Sequence, residues 1–250
     1  MAIGAFIPLA LFVVILGSVG CRLIGLWRRT RQVPEMLLGF GLPIVGASFP
    51  LTAVGRAPAT ALEPVGRWCF AGGLGISVVG LALIIFFSYW VFRRGSPFAL
   101  AFFALVCAAL AGSVAYISAV NFAGDDIAQI KRAMRPGTLT MMCATMAAFA
   151  WSGVESLRYR AASRRQLALG LADPVVVNRF LLWGLAGLTG SALMGVIVVC
   201  ILADMTIMRE PLPLAVIACS GMVASATWYL TFLAPPRYLA FVRARAAQNS

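Results

Sequence analysis

Apolar residues run along this chain in long blocks separated by short, arginine-bearing links. Charge-free stretches extend over Met1–Cys21, Met36–Gly55, Trp68–Phe92, Gly95–Gly124, Pro136–Val154, Phe180–Ala203 and Pro211–Pro236. Each clears the roughly 18 residues that a helix needs to cross a hydrocarbon core about 30 Å thick. A membrane β-barrel would need segments of about ten residues alternating polar and apolar positions. Val78–Trp90 and Ala192–Ala203 are free of any such alternation. The pattern predicts an all-α, polytopic membrane protein, a single-domain bundle of seven transmembrane helices over about 3–25, 34–55, 68–92, 97–121, 136–157, 174–203 and 211–234.

Proline sharpens the boundaries. Pro34, Pro97, Pro136, Pro174 and Pro211 stand where spans should start, a position whose N–H has no helical partner anyway. Ser96 and Asp173, each just before its proline, are expected N-caps. Pro43 and Pro50 fall inside the second span and are expected to bend or break it. The links Gly124–Arg135 and Glu155–Asp173 are too short for a folded module. Their apolar and charged residues suit amphipathic segments resting on the membrane surface. Trp68, Trp90, Trp151, Trp183 and Trp228 lie close to span ends and are expected interfacial anchors.

Charge supplies an orientation. The chain carries 20 Lys and Arg against 8 Asp and Glu, a net +12. Alternate links divide the basic residues unevenly. Fourteen fall to one set: Arg22, Arg28, Arg29, Arg31, Arg93, Arg94, Arg158, Arg160, Arg164, Arg165, Arg179, Arg237, Arg243 and Arg245. Six fall to the other, Arg56, Arg67, Lys131, Arg132, Arg135 and Arg209, together with five of the eight acids. The basic excess marks the cytoplasmic side, so the N-terminus is expected outside and the C-terminus in the cytoplasm. The location that follows is a cell membrane, and the preference for arginine over lysine fits a bacterial cytoplasmic membrane. The first charge, Arg22, follows the first apolar run instead of preceding it, so a cleaved signal segment is not expected. Basic residues placed a few at a time at span ends serve orientation; nucleic acid is not an expected partner.

Composition also narrows the chemistry. The absence of histidine removes imidazole-based catalysis and His-ligated metal or haem. The one lysine, Lys131, lies in a polar link, away from any buried chromophore. Six cysteines on six different spans form no C-x-x-C pair and are expected to be ordinary buried thiols, with a Cys69–Cys200 disulfide as the alternative. No acid pair or activated nucleophile sits at a recognisable spacing, so neither enzymatic activity nor a cofactor is expected.

Two groups remain as candidate sites. Glu155 ends the fifth span, with Arg158 and Tyr159 three and four residues later on the same helical face. Glu35 follows Pro34, and Asn178 and Arg179 lie just inside the sixth span. These six residues share one depth and could form a ligand-binding or gating cluster between spans two, five and six, since ionisable groups near the membrane need partners. Local pairing and snorkelling of Arg179 are the structural alternative. Met142, Cys143 and Met146 form a sulfur group of the softness that Cu(I) takes, with Met134, Met205 and Met208 also near the outer surface; gap-filling by methionine is its alternative.

Small residues repeat every fourth position at Gly187, Ser191 and Gly195 and at Ala144, Ala148 and Ser152. They predict close helix seams, within the bundle or in a homo-oligomer. Two functions follow. The first is a receptor-like or accessory protein binding a small apolar ligand, a lipid or a membrane-protein partner. The second is a small-solute or metal-ion transporter, whose path would use the Pro43, Gly46 and Pro50 segment with Tyr116, Ser118, Asn121 and Thr138.

Overall fold

The structure is a computed structural model that describes residues 2–57, 59–205 and 210–248. Met208 and Arg209 lie outside the described residues. Among the described residues every regular element is helical: α1 (Ala2–Thr30), α2 (Val33–Arg56), α3 (Pro64–Phe92), α4 (Pro97–Ala123), α5 (Ile127–Ala168), α6 (Pro174–Leu202), α7 (Pro211–Phe232) and α8 (Pro236–Ala247). Seven of these, α1 to α7, are long and apolar enough to cross a membrane. The protein is thus a multi-pass membrane protein. Short links force consecutive helices to run antiparallel. The α2–α3, α4–α5 and α6–α7 links therefore share the face that carries the N-terminus, here the N-face. The other links and α8 occupy the opposite C-face.

Each of the first six helices packs against the next in chain order, and α7 closes onto α1. A further contact between α3 and α5 leaves α4 on the outside of the ring. Proline sits in the first turn of α2, α3, α4, α6, α7 and α8. The Ser96 hydroxyl accepts from the Ala99 N–H and the Asp173 carboxylate from the Val175 N–H, the two caps expected before proline. Asp126 caps α5 in the same way.

Several expectations need correction. Pro136 does not start a helix: α5 is continuous from 127 to 168, so the two amphipathic links are its ends. Its 42 residues span about 63 Å at 1.5 Å per residue, twice the thickness of a hydrocarbon core. Proline costs a helix only the bond and space around the carbonyl four residues back, and α2 likewise stays helical through Pro43 and Pro50. All six cysteines are free, and Cys21, Cys143 and Cys219 are exposed where burial was expected. A thiol facing hydrocarbon chains is as dry as one in a core.

Glycine decides how closely the helices approach. A Cβ on Gly20 of α1 would fall 2.5 Å or less from the Pro43 ring of α2. One on Gly80 of α3 would meet the Gly41 carbonyl of α2 at 2.9 Å. At the α5–α6 seam, a Cβ on Gly187 would lie 2.8 Å from the Gly153 backbone. Lipid chains give helices no hydrophobic reason to associate, so such backbone proximity supplies attraction through dispersion.

Candidate functional site

Inside the ring lies a partly open cavity of about 380 Å³, walled by α1, α2, α3, α5, α6 and α7. Its wall reaches from Trp183 and Trp228, in the C-face half of the bundle, toward Leu9, Ile197 and Leu214 near the N-face. This volume is within the roughly 300–1,000 Å³ of small-molecule sites. Apolar side chains dominate it, including Phe12, Phe49 and Phe149. The polar groups are the hydroxyls of Ser77, Thr145, Ser152 and Ser220 and the Trp183 and Trp228 indoles; no ionisable carboxylate, guanidinium or ammonium group contributes. From Leu188 to Val199 of α6 no residue is buried, although a helix face packed against protein buries one about every fourth residue. Of that stretch, Gly190, Leu193, Met194 and Ile197 face the cavity.

Hydrogen-bonded side chains close the floor. Trp183, 8 % exposed, donates its indole N–H to Ser152 Oγ at 2.9 Å. Ser152 and Ser88 Oγ lie 2.8 Å apart, and Ser88 also reaches the Ile84 carbonyl at 3.3 Å. A hydroxyl has one proton, so the two contacts of Ser88 set a direction: Ser88 donates to Ile84, Ser152 donates to Ser88, and the indole donates to Ser152. Aromatic rings pack around Trp183, with Phe87 at 4.8 Å and Trp228 at 4.9 Å between centroids. Trp183 is therefore a floor residue and not the interfacial anchor its position suggested. The indole N–H found a partner inside the bundle and needs no headgroup.

A charged latch lies one helical turn below. Glu155 is 3 % exposed. Arg93, just past α3, donates from Nε to Oε2 at 2.9 Å and from Nη2 to Oε1 at 3.1 Å. Arg158 adds a bond to Oε1 at 3.0 Å. This two-pronged geometry is the strong form of the arginine–carboxylate pair. It holds the Arg93 guanidinium above its ordinary pKa, through its hydrogen bonds to Glu155 first and the carboxylate's charge second. Tyr159 donates to the Phe92 carbonyl at 3.0 Å and packs against the Phe92 ring at 5.0 Å and the Phe180 ring at 6.0 Å. Ser156 donates to the Phe180 carbonyl at 2.8 Å. The latch therefore ties α5 to the C-face ends of α3 and α6.

The six charged and polar candidates divide. Glu155, Arg158 and Tyr159 stand together. Glu35 bonds instead to the Thr30 hydroxyl across the α1–α2 turn. Asn178 donates to the Tyr238 hydroxyl of α8 at 2.9 Å, docking that helix on α6. Arg179 is exposed and makes no ion pair among the described residues. The sulfur trio points to separate surroundings: Met142 lines the central cavity, Cys143 lines an outer groove between α4 and α5, and Met146 lies against Gly195 of α6.

The polar residues suggested for a transport path do not reach the cavity. Tyr116 donates to the Ala133 carbonyl, Asn121 to the Arg67 carbonyl and Thr138 to the Met134 carbonyl. Three of the four, Tyr116, Ser118 and Asn121, belong to α4, which stands outside the ring.

Arg93, Ser88, Ser152, Trp183 and Trp228 escaped selection as site residues. One signal was readable: Arg93 shares with Glu155 the face that link parity assigns. The α3–α5 contact that joins them leaves no trace in spacing. No family model, curated protein or solved structure matches this chain, so its function rests on this geometry.

Proposed function

We propose that the protein is a receptor-like, non-enzymatic membrane protein that binds a small apolar ligand in the central cavity. The observation carrying this reading is the partly open, apolar central volume above a hydrogen-bonded floor. An ionised ligand would find no countercharge there and would lose its hydration in a low-dielectric site, so the ligand is uncharged. Ser152 supports the receptor-like part. It lines the cavity, bonds Ser88 of α3, and lies three residues from Glu155, which holds Arg93 at the end of that same α3. A ligand pressing on Trp183 and Ser152 bears on the latch. With the basic face in the cytoplasm of a bacterial cell, that latch faces cytoplasmic partners and anionic lipid headgroups.

The test is purification from native membranes followed by mass spectrometry of co-purifying neutral compounds. A stoichiometric neutral compound is expected with the parent and is expected to be lost from Ala218→Phe, whose ring would fill the cavity from α7. Equal retention by a folded Ala218→Phe variant, or no such compound with the parent, overturns the reading.

A further inference from the structure

The cavity's hydroxyls differ in their bonding. Thr145 donates to the Met141 carbonyl at 2.8 Å, and Ser152 is committed to the floor chain. Ser77 on α3 and Ser220 on α7 also line the cavity but have no hydrogen-bond partner among the described residues. Each lies near the middle of its helix, on a different wall. A helical serine commonly returns its proton to the carbonyl four residues back, as Ser18, Ser88 and Ser113 do here. The hydroxyls of Ser77 and Ser220 are donors turned to an apolar space. Water is a poor acceptor there, since an ordered water needs two to four polar partners and apolar cavities stay dry.

We infer that the ligand is an uncharged ring or chain compound carrying carbonyl oxygens, of quinone, ketone or ester type, which accept hydrogen bonds from Ser77 and Ser220. The inference rests on the ligand-binding reading above and adds the chemical class. The absence of ionisable lining residues disfavours carboxylates and phosphates of similar shape.

The experiment compares two probes on the full-length protein in nanodiscs, with empty nanodiscs subtracted. The probes are menadione and methylnaphthalene, the same two-ring skeleton with and without carbonyl oxygens. Menadione is expected to bind roughly tenfold more tightly, each hydrogen bond contributing a factor of about three to five. The double variant Ser77→Ala with Ser220→Ala is expected to bring the two probes to parity while leaving methylnaphthalene unchanged. Equal binding of both probes to the parent, or a preference for menadione that survives the double variant, overturns the carbonyl assignment and leaves the cavity reading standing. Binding of neither probe above empty nanodiscs, or equal binding to Ala218→Phe, overturns the cavity reading and with it the assignment.

Discussion

Glu155 and Arg93 differ in what each leaves behind when the other is removed. Glu155 is buried, whereas Arg93 keeps about half of its side chain in solvent, at 46 % exposure. Arg93→Ala strands a buried carboxylate with Arg158 as its one remaining charge partner; Glu155→Gln frees a guanidinium that can hydrate. Arg93→Ala is therefore expected to lower the thermal midpoint in micelles more than Glu155→Gln, and the reverse order would contradict the latch. The sign with pH is clear for Arg93. Its folded pKa is raised, so its contribution is complete below its unfolded value and is lost only in strong alkali, as pH climbs through the folded one. At the floor, Ser152→Ala leaves the buried Trp183 N–H without its acceptor and is expected to destabilise by about 1–3 kcal/mol, read as a shift in the midpoint and in indole fluorescence. The carboxylate could be picked from sequence because an acid at a span end needs a partner. Its partner could not, since many arginines share that face.

Helix seams separate positions that sequence treats as equal. Gly187 and Gly195 belong to one four-residue stripe, but their surroundings differ. A Cβ on Gly187 would press on the Gly153 backbone at 2.8 Å, while one on Gly195 would meet the Met146 sulfur at an ordinary 3.5 Å. Gly187→Ala is expected to cost about 1–3 kcal/mol through overpacking. Gly195→Ala is expected to be neutral or to stabilise by about 0.5–1 kcal/mol, as alanine does over glycine in a helix. Thermal unfolding of the two variants side by side checks the contrast, and equal effects would dismiss the seam. The ends of elements show a similar division. Asp173 and Ser96 were readable as caps because a cap acts on its own helix. Arg67 was readable only as a charge. Its guanidinium donates to the Asn121 and Phe122 carbonyls at 3.0 Å and to Gly124 at 2.7 Å, closing the C-terminus of α4 from a different helix.

Across the whole molecule, the odd number of crossings puts the termini on opposite faces, and fourteen of the twenty basic residues share the C-face. Reporter fusions are expected to place the tail after α8 in the cytoplasm and the α2–α3 link outside; the opposite labelling would reverse the map while leaving the bundle intact. Ring closure by the α1–α7 contact, with α4 excluded, creates the cavity. The polar residues of α4 do not line that volume; Tyr116 and Asn121 are spent on carbonyls of α5 and α3.

Span number, the division of charge and the helix starts at Pro34, Pro97, Pro174 and Pro211, though not the start of α5, were legible in the linear order of residues. Each depends on an exchange between one segment and its solvent: apolar length against hydrocarbon thickness, a proline against its own first turn, an arginine against a headgroup layer. The partner of Glu155, the inward turn of Trp183 and Trp228, the different fates of two glycines in one stripe, and the hydroxyls that line one void depend on which helices become neighbours. Neighbours follow from the fit of all seven surfaces at once, with no hydrophobic gradient between lipid and helix to rank the pairings in advance. Such information lies in packing geometry and has no counterpart in sequence period.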